Sequence, residues 1–595
     1  MNRDTKAMKT RQAGRRAARW GIAAAAVLIL ASASACTSSS SSSTPKTGTS
    51  PTSSSSATLA GYPRAQTIYT SGTMYSPPTT WNPFNVGNYA TGAQGLIYEP
   101  LFLFDPIHNN SYMPWLATSG TWSGSTYTIH VRDNVKWSNG TPLTGADVAY
   151  SINLARTNAL DPYHANVASV SSATANGNTV TVVFSGAPAY SEFQDFLWEA
   201  PIVNQAIWSK VPAAQLITFA DNHPVGTGPM LLDTYSATQE AYKLNPGWWG
   251  TPQLGLSFKF KYLVDVLNGS NNVELAALSA GQIDWSNNFL PGINQLVSGL
   301  GGAGGYGIST FYKNSPYMLS ANTAWLEPNT SKAPMSNVNF RKAMAYAINP
   351  AQIVSAVYGG IVKAANPTGL LPTLNSYIDS SAVSQYGFSY NPTLAKQYLA
   401  KSGYTGQNLT LEVPQGWTDW MAAIQVITSD LQAVGIHVTP TYPQYSARQN
   451  DLISGNYDLA IDNNAQLDSS PWSYFQRVYQ LPIAAQQTAQ LNWERFTSQT
   501  DWNLVQQAGT TPLTDTAKLT SIYNQLQSDF LQQLPEIPLW YNGAWFQGNN
   551  QYWTNYPSSN STSNQWTPVM WRNYLGAMTS IYALANLKPA PAPSS

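Results

Sequence analysis

Two hydrophobic periods interleave along this chain. From Tyr127 to Val131 (YTIHV) every second residue is apolar, the period of a half-buried strand. A turn at Asn139-Gly140 follows, and a helix is expected to start at Thr144. Its hydroxyl, with Asp147 three residues on, suits a first turn and its dipole. Between Asn337 and Gly359 the pattern predicts two helices, VNFRKAMAYAI and PAQIVSAVY. They are divided by Asn349 as N-cap with Pro350 at the first helical position, and Gly359 stops the second. The same device recurs at Asn391-Pro392 and closes at Gly403. Trp420, Ile424, Ile427, Leu431 and Val434 share one face of a further helix, Gly435 ends it, and Ile436 to Thr441 alternates as the next strand. Short strands exchanged with packed helices, without an internal repeat, predict an α/β fold.

The N-terminus follows neither period. Arg3, Lys6, Lys9, Arg11, Arg15, Arg16 and Arg19 precede the apolar run Gly21 to Ala31, which falls short of the about 20 apolar residues that span a bilayer. This reads as a cleavable export signal. Ala33-Ser34-Ala35 then leads to Cys36, the chain's one cysteine, and to a Ser/Thr-rich run that cannot bury enough apolar area to order itself. The combination resembles a bacterial lipoprotein signal, in which the cysteine thiol receives diacylglycerol and the chain is cut just before it. The alternative is an ordinary secretory signal with an incidental cysteine, and Arg15-Arg16 leaves the export route open. Either reading places the protein outside the cytoplasm, and the first places it on the outer face of the cell membrane. With one cysteine there is no intrachain disulfide and no cysteine-based metal site or thiol nucleophile in the mature domain.

Composition adds bounds. The roughly 535 residues after the tether, in a chain 43% hydrophobic, exceed what one core organises, so at least two lobes are expected. Only 10% of residues are charged and the formal net charge is zero, which removes a basic nucleic-acid face. Twenty-one Trp and 34 Tyr leave room for a ligand-stacking cleft beside their core duties.

Several segments together resemble the bacterial extracellular solute-binding protein family 5, the oligopeptide, dipeptide and nickel receptors of ABC importers. The most specific is VRDNVKWSNGTPLTGADVAYSI at Val131. In order come Tyr98-Glu99-Pro100-Leu101, PVGTGPMLL at Pro224, NPGWWG at Asn245, ALSAGQIDW at Ala277, VNFRKAMAYAINPAQIVSAVYGG, LQAVGIHV, GNYDLAI at Gly455 and LPEIPLWY at Leu534. The resemblance implies a periplasmic-binding-protein-like α/β fold of the large, cluster C type: two lobes and an inserted third domain, hinged like a clam shell. Residues 1–35 would be the signal and 36–59 the tether. Residues 60–107, 220–316 and 543–595 would form lobe I, 108–219 the inserted domain and 317–542 lobe II. The chain would cross between lobes near Tyr317 to Asn322 and near Trp540 to Asn542. It also implies a permease partner in the membrane, a monomer, no cofactor and no enzymatic step.

Ligand-binding candidates follow by position. In peptide-binding relatives an aspartate in a Trp-x-x-Asp pattern binds the ligand α-amine, and the aligned residue is Asp468, although Ala465 stands where the Trp would be. Asp468 equally suits a turn or helix cap before Ser469, Ser470 and Pro471. Trp417, ahead of the apolar stripe, is the better stacking residue, whereas Trp420 also fits the core. Ser71-Gly72-Thr73, Trp81 and Asn82 before Pro83-Phe84, and Tyr541 and Asn542 at the second crossover complete the set. A peptide is the leading ligand. The alternative is a β-linked oligosaccharide such as cellobiose, favoured by many Trp, abundant amides and scarce charge. Nickel or haem fits less well, because His108, His130, His164, His223 and His437 form no ligand-spaced pair. An exported hydrolase is the remote alternative. The chain has no Gly-x-Ser-x-Gly or His-Glu-x-x-His motif, Ser43 to Lys46 falls in the tether, and the glycines from Gly302 to Gly307 read as a loop.

Overall fold

The computed structural model describes residues 61–72, 79–85, 90–108, 110–297, 306–468, 470–486, 491–568 and 579–591. Cys36, the export segment, the tether, Thr73, Gly302 and Gly304 lie outside the described residues.

The predicted helices form where their caps stand. Thr144 and Asp147 make a reciprocal capping box at the start of helix Gly145–Thr157, the Asp147 carboxylate accepting from the Thr144 backbone N–H at 3.0 Å. Asn349 caps helix Pro350–Ala356 by accepting from Gln352 N–H, and Asn391 caps Pro392–Lys401 by accepting from Leu394 N–H. Each cap satisfies a backbone donor the helix cannot, worth about 1 kcal/mol. Helix Thr418–Val434 buries Trp420, Ile424, Ile427, Leu431 and Val434 and ends at Gly435, whose φ of 98° a side chain would resist. The strand expected over 436–441 is shorter, Val438–Thr441, and the residues after Gly307 form only the short strand Ile308–Ser309. Ile308–Ser309 is an edge strand paired on one side, to Gln547–Asn549, so little holds it extended.

Three main sheets result. The seven-stranded one runs, in order, Ile308–Ser309, Gln547–Asn549, Trp285–Ser286, Thr67–Ser71, Tyr262–Val266, Gln239–Leu244 and Met230–Ser236. Its strands come from three separate stretches of chain. The four-stranded sheet, Ala117–Ser123, Thr126–Val131, Thr179–Phe184 and Val170–Asn176, is a local antiparallel insertion. The six-stranded sheet orders Lys363–Ala364, Ile537–Gly543, Ser320–Pro328, Leu459–Gln466, Leu409–Glu412 and Val438–Thr441. One apolar cluster runs through the seven- and four-stranded sheets, and another fills the six-stranded sheet and its helices. Below, lobe I and lobe II denote the halves built on the seven- and six-stranded sheets.

The two crossover segments are neighbours. Ser320–Pro328 and Ile537–Gly543 pair antiparallel, with Ser320 opposite Gly543 and Asn322 opposite Asn542, and Ala544 N–H donates to Leu319 C=O at 2.7 Å.

Candidate functional site

Sheet direction locates the cleft. In lobe I, Thr67–Ser71 runs parallel to Tyr262–Val266 and Trp285–Ser286, so Ser71-Gly72, Asn268-Gly269 and Asn287 to Phe289 emerge together at the carboxyl ends. In lobe II, Leu409–Glu412 runs parallel to Val438–Thr441 and Leu459–Gln466, so Gln415 to Trp417, Tyr442 to Tyr445 and Leu467-Asp468 emerge at theirs. Ligands of open α/β sheets bind outside carboxyl ends, where loops are free of the ladder. Here the two sets of ends face each other. A Cβ on Gly416 (φ 90°) would stand 2.8 Å from the Gly269 carbonyl, so this approach requires glycine. Asn271 Nδ2 donates to Asp419 Oδ1 at 3.4 Å across the gap, and the Tyr358 hydroxyl donates to Asp419 Oδ2 at 3.0 Å. Burial pushes the Asp419 carboxyl up to about 6 while these bonds hold it down. Phe289 from lobe I packs against Tyr358 and Trp545 at centroid distances of 5.4 and 5.2 Å, and Tyr358 stacks on Trp545.

The candidates divide into two groups. Gly72, Trp417, Asp468, Tyr541 and Asn542 lie at strand ends or crossovers. The Gly72 carbonyl accepts from Asn288 Nδ2, and Asn288 also donates to Glu274 at 2.8 Å. Burial drives Glu274 up to about 8, so it holds this rim as a neutral acid. Trp417 is half-buried at the start of its helix, edge-on to Trp420 at 4.7 Å and stacked on Tyr445 at 5.8 Å. Asp468 is buried and accepts from the Ser473 hydroxyl, tying the turn to helix Trp472–Tyr479; the Asp195 carboxyl of the inserted sheet's helix Tyr190–Glu199 lies near enough to be pushed well up by burial and the Asp468 charge. The Tyr541 hydroxyl donates to Leu370 C=O and accepts from Asn366 N–H, each at 2.9 Å.

Trp81, Asn82 and Trp420 stand elsewhere than on a ligand-facing surface. Trp81 is fully buried in lobe I, its indole N–H donating to the Tyr242 hydroxyl at 2.9 Å. Asn82 spends its amide on the Leu216 and Phe219 carbonyls and on Phe84 N–H, closing a turn. Trp420 belongs to the lobe II core. Residue type does not say which face a side chain takes.

Other residues of the cleft were missed. Asn271 follows the N-cap Ser270, Tyr358 precedes the helix stop at Gly359, and Asp419 lies inside the PQGWTDW segment that supplied Trp417. Asn322 was marked only as a crossover. Asn322 and Asn542 are 2% and 3% exposed, and the side-chain carbonyl of each has no hydrogen-bond partner among the described residues.

The family model for bacterial extracellular solute-binding proteins, family 5, matches residues 111–484. The chain belongs to this family. Its members are extracellular or periplasmic solute-binding proteins of transporters, and the fold agrees with theirs. The structure of a periplasmic oligopeptide-binding protein of an ABC transporter from Thermotoga maritima, bound to mannohexaose, superposes with a TM-score of 0.83. It is 36% identical over 89% of this chain and 99% of that one. The peptide transport periplasmic protein SapA of Salmonella typhimurium is 25% identical over 82% of this chain and 90% of its own length. Bacillus subtilis AppA, solved with a nonapeptide, shares the fold at a TM-score of 0.72 and 18% identity over 88% of this chain and 99% of that one. Among the described residues of this family 5 chain, no three His, Cys, Asp or Glu side chains gather as a metal site, and no helix is long and apolar enough to cross a membrane.

Proposed function

We propose that this protein captures an oligosaccharide between its lobes and delivers it to an ABC permease, held at the outer membrane face by a lipid on Cys36. One observation carries the ligand class: the facing strand ends at Gly72, Asn268 to Ser270, Asn287 to Phe289, Gln415 to Thr418 and Tyr442 to Tyr445 carry amides and aromatic rings, and the carboxylates beside them, Asp419 and Asp468, are already engaged by Asn271, Tyr358 and Ser473. Amides and aromatic rings suit sugar hydroxyls and sugar ring faces, and closure strengthens each polar contact by excluding water. The mannohexaose bound to the 36%-identical relative supports the same class. Asp468 keeps a peptide as the second reading, since its carboxylate aligns with the one that binds an α-amine in peptide-binding relatives, although it is engaged by Ser473.

The domain limits proposed are 60–107, 220–316 and 543–595 for lobe I, 108–219 for the insertion and 317–542 for lobe II. The sheet order supports them, because each of the three main sheets draws its strands from one of these sets, apart from Gly543 at the seam, whereas the small hairpin Phe102–Asp105 with Ser111–Pro114 straddles the 107/108 limit.

Thermal-shift titration of the full-length chain with mannohexaose, cello-oligosaccharides and mixed tri- to pentapeptides tests the ligand class. A ligand that binds only the native state must raise Tm. Stabilisation by the sugars is expected, and stabilisation by peptides alone overturns the sugar reading. For the anchor, Cys36→Ser should move the protein from the membrane fraction to the soluble one without loss of ligand binding.

A further inference from the structure

The crossover strands do more than connect. Asn322 and Asn542 are directly opposite residues of an antiparallel pair, and such partners share a face with Cβ atoms about 5 Å apart. Ala324 and Trp540, the next pair on that face, pack with Tyr358 and Trp545. The other face is used differently: Thr323 bonds the Gly369 carbonyl and Tyr541 the Leu370 carbonyl. On the first face three buried polar atoms lack partners among the described residues: the side-chain carbonyls of Asn322 and Asn542, and the indole N–H of Trp540. An unmet buried polar atom costs about 1–3 kcal/mol, and three on one face of the segment between the lobes is a concentrated cost.

We propose that Asn322, Asn542 and Trp540 form the floor of the ligand seat and select an uncharged, hydroxyl-bearing ring. The inference rests on the oligosaccharide reading and adds its recognition groups. Two acceptors beside one donor match vicinal hydroxyls, because each hydroxyl both donates and accepts. A carboxylate accepts from the indole or from an amide NH2 but has no proton for either orphaned carbonyl. An ammonium satisfies the carbonyls and leaves the indole N–H unpaired. The rings of Tyr358 and Trp545 continue the same face as a buried stack that fixes Trp540 from behind. Placed on the strands that join the lobes, this floor reports an occupied seat to both halves at once.

Asn322→Leu and Asn542→Leu test it in the full-length chain, because leucine nearly matches asparagine in shape and removes the orphaned carbonyl. Tm without ligand and mannohexaose affinity by calorimetry are the two readouts. Each variant is expected to raise the ligand-free Tm by about 2 °C, the unmet group being gone, and to weaken mannohexaose binding about tenfold. Unchanged affinity in both variants overturns the floor while leaving the oligosaccharide reading intact. A lower ligand-free Tm in both also overturns it, since the amides are then structural. Absence of sugar binding by the unmodified chain removes the oligosaccharide reading and the floor with it.

Discussion

Each lobe buries an arginine among carboxylates, Arg64 in lobe I and Arg448 in lobe II, but the two sites are neutralised differently. In lobe I, Arg64 and Asp284 meet one to one: Arg64 Nη1 donates to Asp284 Oδ2 at 2.9 Å, a second Arg64 bond reaches Oδ1, and the Tyr69 backbone N–H donates to Oδ2 at 2.8 Å. The guanidinium also lies 3.6 Å from the Tyr552 ring centroid. In lobe II a single Arg448 contacts Asp462 at 3.2 Å and also faces Glu327 and Glu412, with Glu494 beyond. One cation cannot balance that set. Burial, then the Asp462 charge, pushes Glu327 up to about 8, and burial pushes Glu412 up to about 7. The Arg64 site of lobe I is neutralised by a fixed countercharge and the Arg448 site of lobe II largely by protons, the means that burial also imposes on Glu274 and Asp265 of lobe I away from Arg64.

The largest expected effect falls on the fixed pair. Arg64→Met leaves Asp284 buried without its countercharge, and should lower unfolding stability in urea by about 3–5 kcal/mol at pH 7. A loss below about 1 kcal/mol breaks the contrast. Next is Arg448→Met, whose cost should depend on pH. Near pH 5 Glu327 and Glu412 hold protons and the loss should be about 1 kcal/mol, rising to about 3 kcal/mol at pH 8 as they ionise around the gap. A cost independent of pH would show that protons do not do the balancing. Smallest is Glu327→Gln. A glutamate with a raised folded pKa stabilises the fold below its unfolded value near 4.5, and that contribution fades as pH climbs towards about 8. Glutamine keeps a partner for the Tyr457 hydroxyl, which donates to Glu327 at 3.0 Å, so the variant should match the parent at pH 5 and exceed it by about 1 kcal/mol at pH 8. Urea midpoints at both pH values decide it.

None of this contrast was visible in the composition. A formal net charge of zero says nothing about depth, yet most of the described carboxylates are buried while only Arg64, Arg341 and Arg448 are buried among the cations. What was legible was local. Asn349-Pro350, Asn391-Pro392 and Thr144 with Asp147 each act within one helical turn, so spacing alone locates them. The stripe from Trp420 to Val434 was legible for the same reason, and it separates Trp420 in the core from Trp417 at the rim. The three-stretch assembly of lobe I has no local signal and entered through the family resemblance. Trp81 and Asn82 fail as ligand-facing residues because their partners, Tyr242, Leu216 and Phe219, are more than a hundred residues away in sequence. Asn322 and Asp419 carry no sequence mark of depth or partner.

The adjacency of the two crossovers has a mechanical consequence. Two separate connections would let the lobes twist, slide and rock independently. Here Ser320–Pro328 and Ile537–Gly543 are laced by ladder bonds, and Ala544 is tied to Leu319 at the point of exit. Both strands lie inside the lobe II sheet, so the chain leaves that lobe twice at one place and the connection is a single narrow strap. One strap leaves fewer relative motions to arrest than two separated connections would, which lowers the ordering cost of bringing two such halves together.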